Sequence, residues 1–201
     1  MTLYQIKPAF QRLLRPLMFW LHQHQITPNH ITLSAMALSF IAGGILALFP
    51  QPGYFALLPV VLFVRMALNA LDGMLARECN QKTSLGAILN ETGDVLCDIA
   101  LYLPFMLLPG SNATLVLFML LCMLMTEFCG VLAQTITGTR SYGGPLGKSD
   151  RALIFGAWGL ALAYRPSLVQ WNNALWGAVT LLLLWTVANR CRSAAHQGET
   201  S

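Results

Sequence analysis

The sequence predicts an all-α integral membrane protein, with six transmembrane helices behind an N-terminal amphipathic interfacial helix. Three observations predict it. Of the 201 residues, 56% are hydrophobic and only 10% charged, far from the balance of a soluble domain. Apolar runs near the length that crosses a hydrocarbon core of about 30 Å, at about 1.5 Å per residue, recur along the whole chain. Lys and Arg collect in alternate connections, as positively charged cytoplasmic loops require.

The lead segment, residues 1–30, carries Ile6, Phe10, Leu13, Leu14, Leu17, Met18 and Leu21 at helical spacing, with Lys7, Arg12 and Arg15 between them. Such a helix is expected to lie flat on anionic headgroups, or else to cap the spans. The membrane domain, residues 31–193, follows. Span one is expected over 31–49, closed by Pro50, Pro52 and Gly53. Span two covers 54–78 and span three 83–108, both with polar residues inside. Span four is 114–137, a short fifth 152–164, and the sixth 171–189, with Trp171 and Trp176 expected as interface anchors. Residues 194–201 form a tail. No linker divides the chain further, and no internal repeat is present.

All of the 12 Lys and Arg except Arg165 and Arg65 fall on one side of this arrangement. Both termini are therefore expected in the cytoplasm. The net charge of +4 is accounted for by topology and lipid headgroups, and gives no reason to invoke nucleic acid. The five cysteines, Cys79, Cys97, Cys122, Cys129 and Cys191, have no paired spacing and read as reduced packing residues.

A carboxylate inside a membrane costs roughly 3 kcal/mol by insertion scales, so each needs a partner, an ion or a water cavity. Asp72, Glu91, Asp94 and Asp98 lie between the end of span two and the first half of span three. Asn69, Asp72, Gly73, Ala76 and Arg77 share one helix face. Gly86, Asn90, Asp94 and Asp98 recur every four residues on the next helix, with Glu91 at the edge of that face. A short link makes the two helices an antiparallel pair, so the faces meet. Their carboxylate and amide oxygens suit Mg²⁺, Mn²⁺ or Ca²⁺, and neither His nor Cys belongs to the set. Phosphate chemistry follows, with Arg77 a further positive group.

These residues resemble the CDP-alcohol phosphotransferase (CDP-alcohol phosphatidyltransferase) family. Its pattern D-x2-D-G-x2-A-R-x8-G-x3-D-x3-D appears here as N-x2-D-G-x2-A-R-x8-G-x3-N-x3-D over Asn69 to Asp94, with every spacing kept. The run ITPNHIT before span one is similar to the family's approach to its first helix. The resemblance implies transfer of a phosphatidyl or other phosphoalcohol group from a CDP-linked donor, CDP-diacylglycerol foremost, to a small alcohol acceptor with release of CMP. It implies one or two Mg²⁺ or Mn²⁺ ions on Asn69, Asp72, Asn90 and Asp94, with Asp94 the general base and Glu91 able to restore charge. Asn29, Gly73, Ala76, Arg77 and Gly86 would receive the cytidine diphosphate, and a homodimer in the bacterial inner membrane is implied.

Two of the four acids in that pattern are amides here, Asn69 and Asn90. An altered but working enzyme, a homologue that binds metal or CDP-lipid without efficient turnover, and a cation-path protein therefore all stay open. The loop SYGGPLGKSDR offers a pliable glycine backbone with Lys148 and Arg151 as acceptor ligands, or simply a topogenic loop. Glu127 is expected to pair with Arg65, or to be protonated or face the site. Asp98 is expected to support the site or touch water.

Overall fold

The computed structural model describes residues 7–198. Seven α-helices and three short 3₁₀ segments account for nearly all of them, and no strand occurs among the described residues. The helices are α1 (Lys7–Gln23), α2 (Pro28–Leu48), α3 (Leu57–Glu78), α4 (Ser84–Tyr102), α5 (Ala113–Thr137), α6 (Lys148–Tyr164) and α7 (Asn172–Gly198). Ile6, counted in the amphipathic face, and tail residues 199–201 lie outside the described residues.

Local chemistry sets the ends. Thr27 caps α2 through a reciprocal pair with His30, and Pro28 takes the first turn, where a missing N–H costs nothing. Thr83 caps α4 by accepting from Gly86 N at 2.9 Å, and Asn112 caps α5 by accepting from Leu115 N at 3.1 Å. Gly138, in the left-handed region at φ 73°, ends α5. Proline at the head of a 3₁₀ segment explains why the spans expected over 54–78 and 83–108 break into helix plus turn.

Among the described residues, four segments are long and apolar enough to cross a membrane: Pro28–Leu48, Pro52–Glu78, Ala113–Thr137 and Pro166–His196. The other two expected spans fall short for definable reasons. α4 carries Glu91, Asp94 and Asp98 in its 19 residues, and α6 is only 17 residues long. The last helix continues well past the expected end at 189.

α2 packs on α3 and α4, α3 on α6, and α5 chiefly on α7, while α4 and α5 meet only sparsely. The aromatic part of the core lies toward one end of the bundle, where Phe55, Tyr102, Phe105, Phe155 and Trp176 are almost wholly buried. Trp176 is therefore a core residue and not an interface anchor. Its ring stacks with Phe155 at 5.8 Å and meets Phe105 edge-on at 4.8 Å, and its N–H donates to Ser111 Oγ at 3.4 Å. Trp171 is exposed.

α1 rests on α3. Met18 is buried against Ile31, Leu71, Met74 and Leu75, with Leu14 and Leu21 beside it, and Arg15 Nη2 reaches Glu78 Oε1 at 3.1 Å. Leu13, Leu17, Phe19 and Trp20 remain exposed. The helix thus divides its apolar residues between the bundle and its surroundings.

Candidate active site

The opposite end of the bundle is polar. It draws on the start of α2, the second half of α3, the first half of α4, the end of α5 and the start of α6. At its centre Asp72 on α3 and Asp94 on α4 both turn inward: Asp72 is buried, and the Asp94 side chain is 18% exposed. Asn69, one turn before Asp72 on α3, reaches across to Asp94.

Each acid is held. Asp72 Oδ2 accepts from Thr32 Oγ1 at 2.9 Å. Asp94 Oδ1 accepts from Asn69 Nδ2 at 2.9 Å and lies 3.5 Å from Arg65 Nη2, which also donates to the Asp94 carbonyl at 2.9 Å. Asp94 Oδ2 forms an ion pair with Lys148 Nζ. Asn69, Asp72 and Asp94, expected together from spacing, are therefore together in space. Asn90 lies one turn before Asp94, half-buried.

Beside this pair runs a buried chain of charges. Arg65 Nη1 meets Asp98 Oδ1 at 2.5 Å, and Arg151 Nη2 meets Asp98 Oδ2 at 2.9 Å and Glu127 Oε1 at 2.8 Å. Arg140 Nη2 reaches Glu127 Oε2 at 2.9 Å and pairs also with Glu91. Burial works against the Arg140 charge, but Glu91 and Glu127 outweigh it and hold the guanidinium above its ordinary range. This chain crosses the sparse α4–α5 seam, where a void of about 10 Å³ lies among Asp98, Leu120, Met123 and Glu127.

The chain corrects several expectations. Glu127 pairs with Arg140 and Arg151 rather than Arg65, because Arg65 is spent on Asp94 and Asp98. Arg151, expected beside Lys148 as an acceptor ligand, is fully buried and engaged with two carboxylates and with Thr126 Oγ1 at 3.2 Å. Glu91 faces Arg140, outside the Asp72–Asp94 pair. Of the two expectations for Asp98, the contacts favour support, since it is buried between two arginines and one of them, Arg65, also donates to the Asp94 carbonyl. Nor is the glycine loop loose: Leu146 N donates to Thr186 Oγ1 at 3.1 Å, and Arg190 Nε to the Gly143 carbonyl at 3.2 Å.

At the ends of α2, α3 and α4 lies an open cleft of about 320 Å³, lined by Thr27, Pro28, Asn29, Gln81 and Thr83. Gly86 adjoins it. A Cβ there would stand 2.8 Å from Asn29 Oδ1 and 2.9 Å from Thr83 Oγ1, so any side chain would push Asn29 away. Gln81 Oε1 is buried in this region with no hydrogen-bond partner among the described residues, an acceptor available to a ligand. Nearer the acids, the Arg77 guanidinium folds over Gly73, 3.1 Å from where a Cβ would sit, and Ala76 is half-buried on the same helix.

The donor chemistry admits a hard cation. Asp72 and Asp94 offer carboxylates, Asn69 and Asn90 offer amides, and the charge of one divalent ion balances the two acids. No cluster of three or more His, Cys, Asp or Glu spaced to hold a metal occurs among the described residues. The donors the site offers are oxygens alone, two carboxylates and two amides.

The family profile described as CDP-alcohol phosphatidyltransferase matches residues 25–188, from the approach to α2 into the last helix. The chain belongs to the CDP-alcohol phosphatidyltransferase family. These are transferases of phospholipid synthesis. Inner membrane protein YnbA of Escherichia coli (strain K12) is 70% identical over 193 residues, covering 96% of each chain. Phosphatidylinositol phosphate synthase of Mycobacterium tuberculosis (strain ATCC 25618 / H37Rv) is 29% identical, covering 97% of this chain and 89% of its own. Two crystal structures of the Mycobacterium tuberculosis phosphatidylinositol phosphate synthase share the fold. The complex with manganese and citrate has a TM-score of 0.72 at 20% identity, covering 89% of this chain and 87% of that one. The complex with CDP-diacylglycerol has a TM-score of 0.69 at 24% identity, covering 94% and 95%.

Sequence reasoning gave Arg65 the wrong partner, Glu127 in place of Asp94 and Asp98, and missed the reach of Lys148 to Asp94. A signal for Arg65 was present: a lone guanidinium in an apolar run requires acids at its own depth.

Proposed function

We propose that the protein transfers a phosphatidyl group from CDP-diacylglycerol to a small alcohol, releasing CMP, with one Mg²⁺ or Mn²⁺ held by Asn69, Asp72, Asn90 and Asp94. The observation that carries this reading is the inward convergence of Asp72 and Asp94 from adjacent helices, beside the cleft that Asn29 and Gly86 border. When bound, the cation supplies neutralisation of the diphosphate's charge.

The chain's own residues do the rest. Asn29, Gly73, Ala76, Arg77 and Gly86 receive the cytidine diphosphate, with the Arg77 guanidinium against phosphate oxygens. The acceptor hydroxyl attacks the phosphorus that carries the diacylglycerol and gives its proton to an Asp94 carboxylate oxygen. The bond to the bridging oxygen breaks, and CMP leaves with that oxygen. Thr32 and Asn69 orient the two acids, and Lys148 faces the acceptor side. Arg151 and Glu91 act from behind, through Asp98, Glu127 and Arg140.

In this reading α4 and α6 complete six spans, the polar end lies at the cytoplasmic surface of a bacterial inner membrane, and both termini are cytoplasmic. Glu91, Asp94 and Asp98 keep α4 from being apolar because they face the site and its charge network instead of lipid. α1 lies at the headgroups with Leu13, Leu17, Phe19 and Trp20 toward the acyl region.

The test is CMP release by the detergent-purified protein given CDP-diacylglycerol, Mn²⁺ and a panel of alcohols. Release with one acceptor class supports transfer. A second reading, ligand binding without turnover, is favoured by the amides at 69 and 90 and by the ammonium already on Asp94. Binding of CDP-diacylglycerol with no CMP from any acceptor would establish it.

A further inference from the structure

We propose that Lys148 is a resident counter-cation of the site: its ammonium and a divalent ion compete for Asp94, and the site holds one such ion per chain. The proposal rests on the phosphatidyl-transfer reading for the identity of the metal site, but its central measurement needs neither donor nor acceptor.

Three observations lead to it. The first is occupancy. Both Asp94 oxygens already have protein partners, Oδ1 with Asn69 and Arg65, and Oδ2 with Lys148. An ion that takes Asp94 as ligand must displace or share at least one of them. Asn69 can keep its bond to Oδ1, and Arg65 is anchored independently by Asp98 and the Asp94 carbonyl. Lys148 is the partner free to leave, because a flexible four-carbon stem carries its charge and its side chain is 30% exposed.

The second is the place of Lys148 in the fold. It is the first residue of α6, where unpaired N–H groups disfavour a cation. Asp150, the acid of that first turn, caps the helix by accepting from Gly147 N at 2.9 Å. Asp94 on α4 is the carboxylate that meets the ammonium, so the charge that balances Lys148 comes from the site and not from its own helix.

The third is charge. Asp72 and Asp94 contribute two negative charges, and Asn69 and Asn90 contribute none. Asp98 is matched separately by Arg65 and Arg151. One divalent ion neutralises Asp72 and Asp94, whereas a second would leave two positive charges before Lys148 is counted. Once displaced, the ammonium remains beside the ion and can face an anionic ligand.

The test is Mn²⁺ titration of the full chain in detergent, reading the EPR signal of free Mn²⁺ with no nucleotide or lipid donor present. The wild type is expected to bind one ion per chain. Removing the ammonium in Lys148→Met should tighten that binding by about tenfold or more, while Lys148→Arg stays within about threefold of the wild type. The gain from Lys148→Met should disappear in an Asp94→Asn background, where the competition has no object. Lys148→Gln serves as a second neutral variant should the methionine variant fail to insert. Unchanged affinity in the neutral variants, two ions on the wild type, a gain that survives Asp94→Asn, or no Mn²⁺ bound by any form would each overturn the proposal. CMP release, assayed in parallel, separates the two readings. Competition without CMP sinks the transferase reading alone, and CMP release with Mn²⁺ binding indifferent to residue 148 sinks this one alone.

Discussion

At one end of the bundle Phe55, Tyr102, Phe105, Phe155 and Trp176 fill the interior with rings whose centroids lie 4.2 to 5.8 Å apart. At the other, Arg65, Asp98 and Arg151 are buried just as deeply, yet they are charged. The aromatic end coheres through packing, which any set of rings of the right shape supplies in part. The polar end coheres through pairing, where each ion is tolerable only because its partners are present. A membrane protein gains little from hiding apolar surface, since lipid is apolar too. The aromatic end is therefore the replaceable half, and the polar end is where single changes are expected to be decisive.

The strongest way to break this contrast is at the chemistry. Asp94→Ala is expected to lower CMP release by on the order of 10³-fold while the protein still inserts and purifies. Activity near the wild-type level would remove Asp94 from the mechanism. Next comes the charge chain. Arg151→Met leaves Asp98 and Glu127 short of a partner and should cost about 4 kcal/mol of stability, read as detergent-resistant folded fraction against temperature. Phe105→Ala at the opposite end should cost about 3 kcal/mol, with CMP release per folded molecule within about twofold of the wild type. If instead it silenced the enzyme, the two ends would not be separable. The mildest change is Thr32→Val, which deletes the hydroxyl bonded to Asp72. About 1 kcal/mol is expected, seen as a several-fold drop in CMP release with little change in melting.

The parts of the molecule that repeat along the chain were legible in the sequence. The order of the apolar helices and the face shared by Asn69, Asp72 and Arg77 follow from local spacing, although four segments rather than six are long and apolar enough to cross a membrane among the described residues. A short link predicts α3 packed directly on α4, whereas both helices pack chiefly on α2, and Asn69 and Arg65 reach from α3 to Asp94. What escaped involved partners far apart in sequence. Arg140 against Glu91, Arg151 against Asp98 and Lys148 against Asp94 depend on how α5 and α6 return to the bundle, which no periodicity encodes. Trp176 illustrates the same limit, because an indole near a helix start suits a headgroup layer or a core equally well until Ser111 and Asn172 are known to be alongside. Cys129 and Cys191, unremarkable in spacing, lie with sulfurs 3.4 Å apart for the same reason.

One unassuming contact governs how far the acids can drift. Gly43 on α2 faces Ala100 on α4 so closely that a Cβ would collide with the Ala100 carbonyl, and Ala100 lies on the same helix as Asp94 and Asp98. Two backbones touching without side chains between them behave as a hard stop, fixing how near α4 can come to α2, and through Thr32 how Asp94 stands relative to Asp72. Evolution of new acceptor preference in such a scaffold should therefore spare position 43 and vary the loop ahead of α6, because tolerances in the machine are machined at a residue that never meets a substrate.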